Sequence, residues 1–171
     1  MYAAFQHTLL IASGSMSEIS KQIASLPDRS QILVFEDSSG NSVDLVDEPA
    51  PVARSAGRPK LGVVAREVTL LPRHWEWLNS QPGGASVALR KLVEQARKAN
   101  ETPDRIRQSR EAAYRFMNAL AGNLPHFEEA LRALFGGNQR GFDQLIHTWP
   151  PDIRDYALKL ALESFKQEPS K

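Results

Sequence analysis

Residues 47–62 set the limits on how this chain can fold. The stretch Asp-Glu-Pro-Ala-Pro-Val-Ala-Arg-Ser-Ala-Gly-Arg-Pro-Lys-Leu-Gly contains three prolines and two glycines. Proline removes a backbone donor and glycine loses the most entropy on ordering, so neither a helix nor a central strand is expected there. The charge also changes sign within it, from Asp47 and Glu48 to Arg54, Arg58 and Lys60. A chain of 171 residues is thus divided into pieces that are each small for a separate core. The reading is a small α+β unit over 1–48, a basic Pro/Gly linker over 49–62, a strand-helix-helix segment over 63–100 and a helical bundle over 101–171. The fold class is α+β.

Ahead of the linker, Thr8–Ala12 suits a strand, paired with Ala3–Gln6. Ser15 and Glu18 have the spacing of a capping box, in which the hydroxyl accepts from a first-turn amide and the carboxylate reaches back. Met16, Ile19, Ile23 and Leu26 follow at helical spacing and stop at Pro27. Gln31–Phe35 and Val43–Val46 flank Asp37-Ser38-Ser39-Gly40-Asn41, which reads as a hairpin with a turn of conformationally permissive residues.

After the linker, Val63–Leu71 reads as a strand and Pro72 as the first residue of a helix that runs to about Ser80, burying Trp75 and Leu78. Pro82-Gly83-Gly84 breaks it. A second helix starts near Ser86, with Val87, Leu89, Leu92, Val93 and Ala96 as its apolar stripe and Arg90, Lys91, Arg97 and Lys98 opposite. The tail is helical: 102–121 with Ile106, Ala113, Tyr114, Met117 and Leu120 inward, then a helix from Pro125 to the Gly136-Gly137 stop. A short helix around Phe142, Leu145 and Ile146 follows, and a last one runs from Ile153 to Phe165.

The net charge of +1 conceals an uneven distribution. Residues 1–50 carry two basic and seven acidic side chains, and residues 51–100 carry nine basic and three acidic. A central positive block suits a polyanion. No apolar run approaches the roughly 18 residues that a membrane-spanning helix requires, and no leader pattern is evident, so the expectation is a cytoplasmic protein. The absence of cysteine excludes disulfides, iron–sulfur clusters and thiol nucleophiles.

Arg66-Glu67-Val68-Thr69-Leu70-Leu71-Pro72, a helix, a glycine break and a second amphipathic helix resemble a ribbon-helix-helix unit, in which strands from two chains pair and enter the major groove. The second helix of such a unit offers its first amides to a phosphate, a role that Gly84 and Ser86 suit. Arg58, Lys60, Arg73, Arg90 and Lys91 could supply sequence-independent affinity, and Arg66 and Thr69 lie on the reading strand. If Val68 and Leu70 face inward, Glu67 and Thr69 face the groove; in the other phase the outward set is Arg66, Val68 and Leu70. The same two helices also fit a helix-turn-helix, and Gly57-Arg58-Pro59-Lys60 resembles a short minor-groove arm.

Longer strings resemble a bacterial family, domain of unknown function 2239. They are Phe35-Glu36-Asp37-Ser38-Ser39-Gly40 with Val43-Asp44-Leu45, Gly57–Val63, Arg66–Leu78, Pro82–Arg90, Ala113–Met117 and Trp149-Pro150. The resemblance covers nearly the whole chain. It implies a bacterial source and brings no activity and no site residues with it.

Nothing in the sequence assembles an active site. His7, His74, His126 and His147 are scattered, and His126 with Glu129 gives only half of a metal pair. No nucleophile elbow and no phosphate-binding Gly-rich loop is present. The sequence therefore predicts no enzyme, no cofactor and no metal. It predicts a homodimer that binds duplex DNA and has no membrane segment, with an interaction or scaffold protein that binds no DNA as the alternative. Trp75 and Trp77 lie two apart and cannot share a helix face, so one of them should be exposed or covered by a partner chain.

Overall fold

The computed structural model describes residues 1–45, 64 and 66–166. They fall into two compact units, Met1–Glu48 with Thr102–Lys171, and Pro49–Glu101. The linker over 49–62 lies outside the described residues. The head and tail, separate segments in the sequence reading, thus belong to one unit that the chain leaves and re-enters.

That unit is built on a sheet of four antiparallel strands, β1 (Tyr2–Gln6), β2 (Leu9–Gly14), β3 (Ile32–Glu36) and β4 (Ser42–Val43), in the order β2-β1-β3-β4. The central strands bury both faces, which is why β1 and β3 read as near-continuous apolar runs. Ala4, Ala12 and Val34 face the helix α1 (Met16–Ala24), which contributes Ile19 and Ile23 to a small core. Ala3, Phe5 and Phe35 point the other way into the larger core. The helix α1 starts as its sequence predicts. The Ser15 hydroxyl accepts from the Glu18 amide at 3.3 Å, and the Glu18 carboxylate accepts from the Ser15 amide at 2.7 Å.

The larger core is closed by α4 (Glu101–Leu120), α5 (Phe127–Phe135), α6 (Gln139–Ile146) and α7 (Pro151–Ala161), the last running into a 3₁₀ turn over Leu162–Phe165. Its centre is Phe116, whose ring lies 5.2 Å from that of Phe5, 5.1 Å from Phe35 and 4.7 Å from Tyr156. The inward face of α4 is Ile106, Ser109, Ala113, Phe116 and Met117. Tyr114, expected to face inward, is 40% exposed and sits edge-on to the exposed Phe135. Placing Phe116 against the sheet turns Tyr114 away, because residues two apart in a helix lie about 200° apart.

Polar contacts tie the two halves of this unit together. The Leu10 amide of β2 donates to the Asp152 carboxylate at 2.8 Å, and Arg115 donates to the Ser39 carbonyl at 2.8 Å. The Ser109 hydroxyl donates to the Leu160 carbonyl and accepts from the Ser164 amide, which satisfies it where it is buried. Asp37, a turn residue by its sequence, accepts from the Tyr156 hydroxyl and the Lys159 ammonium, each at 2.7 Å. Burial pushes the Asp37 carboxyl up, but the bonds from Lys159 and Tyr156 outweigh it and hold its pKa below the ordinary value. Burial, with the bond to Asp37, keeps the Tyr156 hydroxyl protonated far above its usual range.

A depressed carboxyl pKa contributes stability that is present above the unfolded value and lost as the pH falls through the folded one. Asp37→Asn is therefore expected to cost about 1 kcal/mol near neutral pH, the Lys159 partner being largely in solvent. The gap from wild type should begin to narrow below about pH 4 and shrink further as the pH falls through the lower folded value. Urea midpoints at pH 7 and pH 3 check this, and an equal gap at both would contradict it.

In the second unit, α2 (Pro72–Ser80) and α3 (Gly84–Ala99) form a hairpin. Pro72 opens α2 and the helix ends at Ser80, as its sequence predicts. The strand expected over 63–71 is not formed: among its described residues none pairs in a ladder, although Leu71 has extended geometry (φ −65°, ψ 148°). A strand needs a partner for its backbone groups, and the described part of this chain offers none there.

Candidate nucleic-acid interface

The start of α3 is set by glycine conformation. Gly83 and Gly84 lie at φ 87° and 73°, in the left-handed region, and the Gly84 amide closes a turn on the Gln81 carbonyl at 2.9 Å. The helix therefore begins two residues before Ser86. Ser86, near which the sequence places the helix start, is the third residue of the helix and makes no capping bond. No side chain caps the first turn of α3, and no acidic residue lies in it. The same holds for α2, whose second residue is Arg73. In contrast, α1, α5 and α7 have Glu18, Glu128 with Glu129, and Asp152 in their first turns. The Gly84 amide is used in the turn on Gln81, and in α2 Pro72 has no amide hydrogen and His74 donates to the Leu71 carbonyl. The amides of Ala85 and Ser86 in α3 and of Arg73 in α2, with the helix dipole, leave positive ends that no acidic side chain compensates.

Ser86, Arg90 and Lys91 are all exposed on α3, and the Arg90 guanidinium donates back to the Ser86 carbonyl at 3.1 Å, which brings these two residues together one turn apart. Gly84 is half-buried beside them. Arg73 is exposed on α2. Arg66 and Thr69 are exposed on the irregular approach to α2, where Leu70 is half-buried and lines a groove with Leu78 and Leu89. Val68 is 55% exposed nearby, and Glu67 and Thr69 are exposed too, so the exposures select neither phase. Arg58 and Lys60 lie outside the described residues. Further along α3, Arg97 is paired with Glu94 at 2.9 Å. Arg66, Arg73, Arg90 and Lys91 form no ion pair among the described residues.

The apolar stripe expected on α3 is only partly buried. Ala88 is buried and Val87 and Leu89 are half-buried, whereas Leu92 is 42% and Val93 63% exposed. Of the two tryptophans on α2, Trp75 is half-buried and Trp77 is 51% exposed. Among the described residues, no three His, Asp or Glu side chains gather as a metal site, and no helix is long and apolar enough to cross a membrane.

The model of a family described as "uncharacterized protein conserved in bacteria", domain of unknown function 2239, matches residues 46–161. The match takes in the α2–α3 hairpin and most of the helical half, and the Phe35–Leu45 strings lie outside it. No curated protein and no solved structure matches the chain.

Proposed function

The chain belongs to this family of uncharacterised bacterial proteins, and on that premise we propose that its central unit is a dimeric DNA-binding element, with a role in regulation. The observation that carries this reading is the uncapped first turn of α3 at Gly84 and Ser86, with Arg90 and Lys91 exposed one turn on and without an acidic partner among the described residues. Amides at a helix start favour an anion, and guanidinium and ammonium groups beside them add charge-assisted bonds to phosphate. Arg73 at the start of α2, and Arg58 and Lys60 upstream in the sequence, extend the same positive character. Residues 66–71 would acquire their missing ladder from a second copy, with Arg66 and Thr69 at the groove.

Titration of mixed-sequence duplex at low and moderate salt tests the reading. Binding is expected at low salt and should fall steeply with salt, because phosphate contacts release counterions. The Arg58→Ala, Lys60→Ala double variant should weaken binding about equally on all sequences. It should also lower the salt slope by roughly one for each phosphate that is no longer neutralised. Substituting Thr69 should change sequence preference more than affinity. Ser86→Ala should remove a phosphate contact without loss of helix stability. No binding at low salt with roughly 50 µM protein, within the range of non-specific affinities, would overturn the proposal and leave an interaction protein in its place.

A further inference from the structure

We infer that the apolar face of the α2–α3 hairpin is where two copies of this chain meet, each seating its Trp77 indole in the groove of the other. This rests on the dimer of the reading above and adds a helical contact to the strand pairing proposed there, and it holds whether or not DNA is bound.

The hairpin is short of core. Among the described residues of its unit only Leu78 and Ala88 are buried, too few to fix two helices in water. The missing apolar cover has a defined shape. A groove of about 280 Å³ with apolar walls is lined by Leu70, His74, Trp77, Leu78, Leu89 and Leu92. Trp77 forms one wall and leaves half of its own surface, 51%, in solvent. Knob and hole therefore lie on one surface, which is the condition for a two-fold contact in which the same patch meets itself. A partner of another kind would need only the hole.

The area fits a small contact. Trp77 and Leu92 line the groove, and Leu71 and Val93 adjoin its residues Leu70 and Leu92 in the sequence. Their exposed parts amount to at most roughly 400 Å² per copy, so two copies would remove up to about 800 Å² from water, the size of a weak, reversible dimer contact. Exposed Lys91 and Gln95 border Trp77 and Leu92 and would supply a polar rim. Two hairpins joined in this way make a four-helix bundle whose shared core holds the side chains that one copy leaves in water.

Sedimentation of the full chain without DNA is expected to give a dimer at micromolar concentration that persists at high salt, because the contact is apolar. Trp77→Ala removes the knob and Leu92→Glu places a charge in the hole. Each should raise the dimer dissociation constant about 100-fold, the size of a central hot spot. A wild-type monomer at about 100 µM, or a dimer that neither substitution weakens, would overturn the inference. Should either variant lose its helices, a gentler measurement replaces it. The chain has no cysteine, so Gln95→Cys accepts a single spin label on an exposed residue. Two copies joined on this face should show one distance shorter than about 25 Å, the length of α3; no dipolar signal between copies would likewise reject the contact. A dimer that fails the DNA titration leaves this inference standing, and a monomer that binds duplex defeats it together with the strand pairing proposed above, leaving only the phosphate contacts.

Discussion

Replacing Gly40 with alanine is expected to destabilise the sheet-containing unit by about 3–4 kcal/mol and to lower its thermal midpoint by roughly 10 °C. Gly40 is buried at the β3–β4 turn with φ 66°, and a Cβ there would lie 2.1 Å from the Ala112 carbonyl oxygen on α4. Two costs add: the left-handed backbone, and the displacement of a helix that cannot yield like a side chain. Gly84 separates them. It has a similar φ of 73° but nothing within 4 Å of the added carbon, so Gly84→Ala should cost only about 1 kcal/mol. Thermal and urea denaturation of the pair measure the difference. A Gly40→Ala protein within about 1 kcal/mol of wild type would mean that the turn does not press on α4.

Phe116→Ala is expected to cost about 3–5 kcal/mol. The ring is fully buried and contacts Phe5 and Phe35 from the sheet and Tyr156 from α7, so its loss opens a cavity where three elements meet. Phe116→Leu, which retains much of the volume, should cost markedly less. Urea unfolding with an unchanged slope and a lowered midpoint is the signature. A loss below about 1 kcal/mol would indicate that sheet and helices do not share this core.

Features fixed by neighbouring residues are legible in the sequence. The Ser15–Glu18 box, the Pro72 start of α2 and the hairpin around Asp37–Asn41 each depend on a few adjacent side chains. Features that depend on distant partners are not. Asp37 has the composition of a turn, and nothing near it indicates bonds to Tyr156 and Lys159, 119 and 122 residues away. On α4 the apolar residues spread widely enough to support two phases, and only the position of the sheet selects Phe116 over Tyr114. The α3 stripe identifies an apolar face but not what covers Leu92 and Val93. At the candidate interface Ser86 has the chemistry of a cap because hydroxyl residues favour that position; two glycines in left-handed geometry move the helix start ahead of it. The strand propensity of Val68-Thr69-Leu70 is equally silent about whether a second strand exists.

The return of the chain to its first unit has a consequence for synthesis on the ribosome. The sheet strands leave first, yet Ala3, Phe5 and Phe35 are covered by α4–α7, which begin only at Glu101. At about 5–20 residues per second, the nascent sheet keeps one sticky face bare for several seconds while the hairpin emerges, too early to receive its own helices. Over that interval α1 can cover only the opposite face, through Ile19 and Ile23. The order of emergence postpones the final closure of this core until α7 is out.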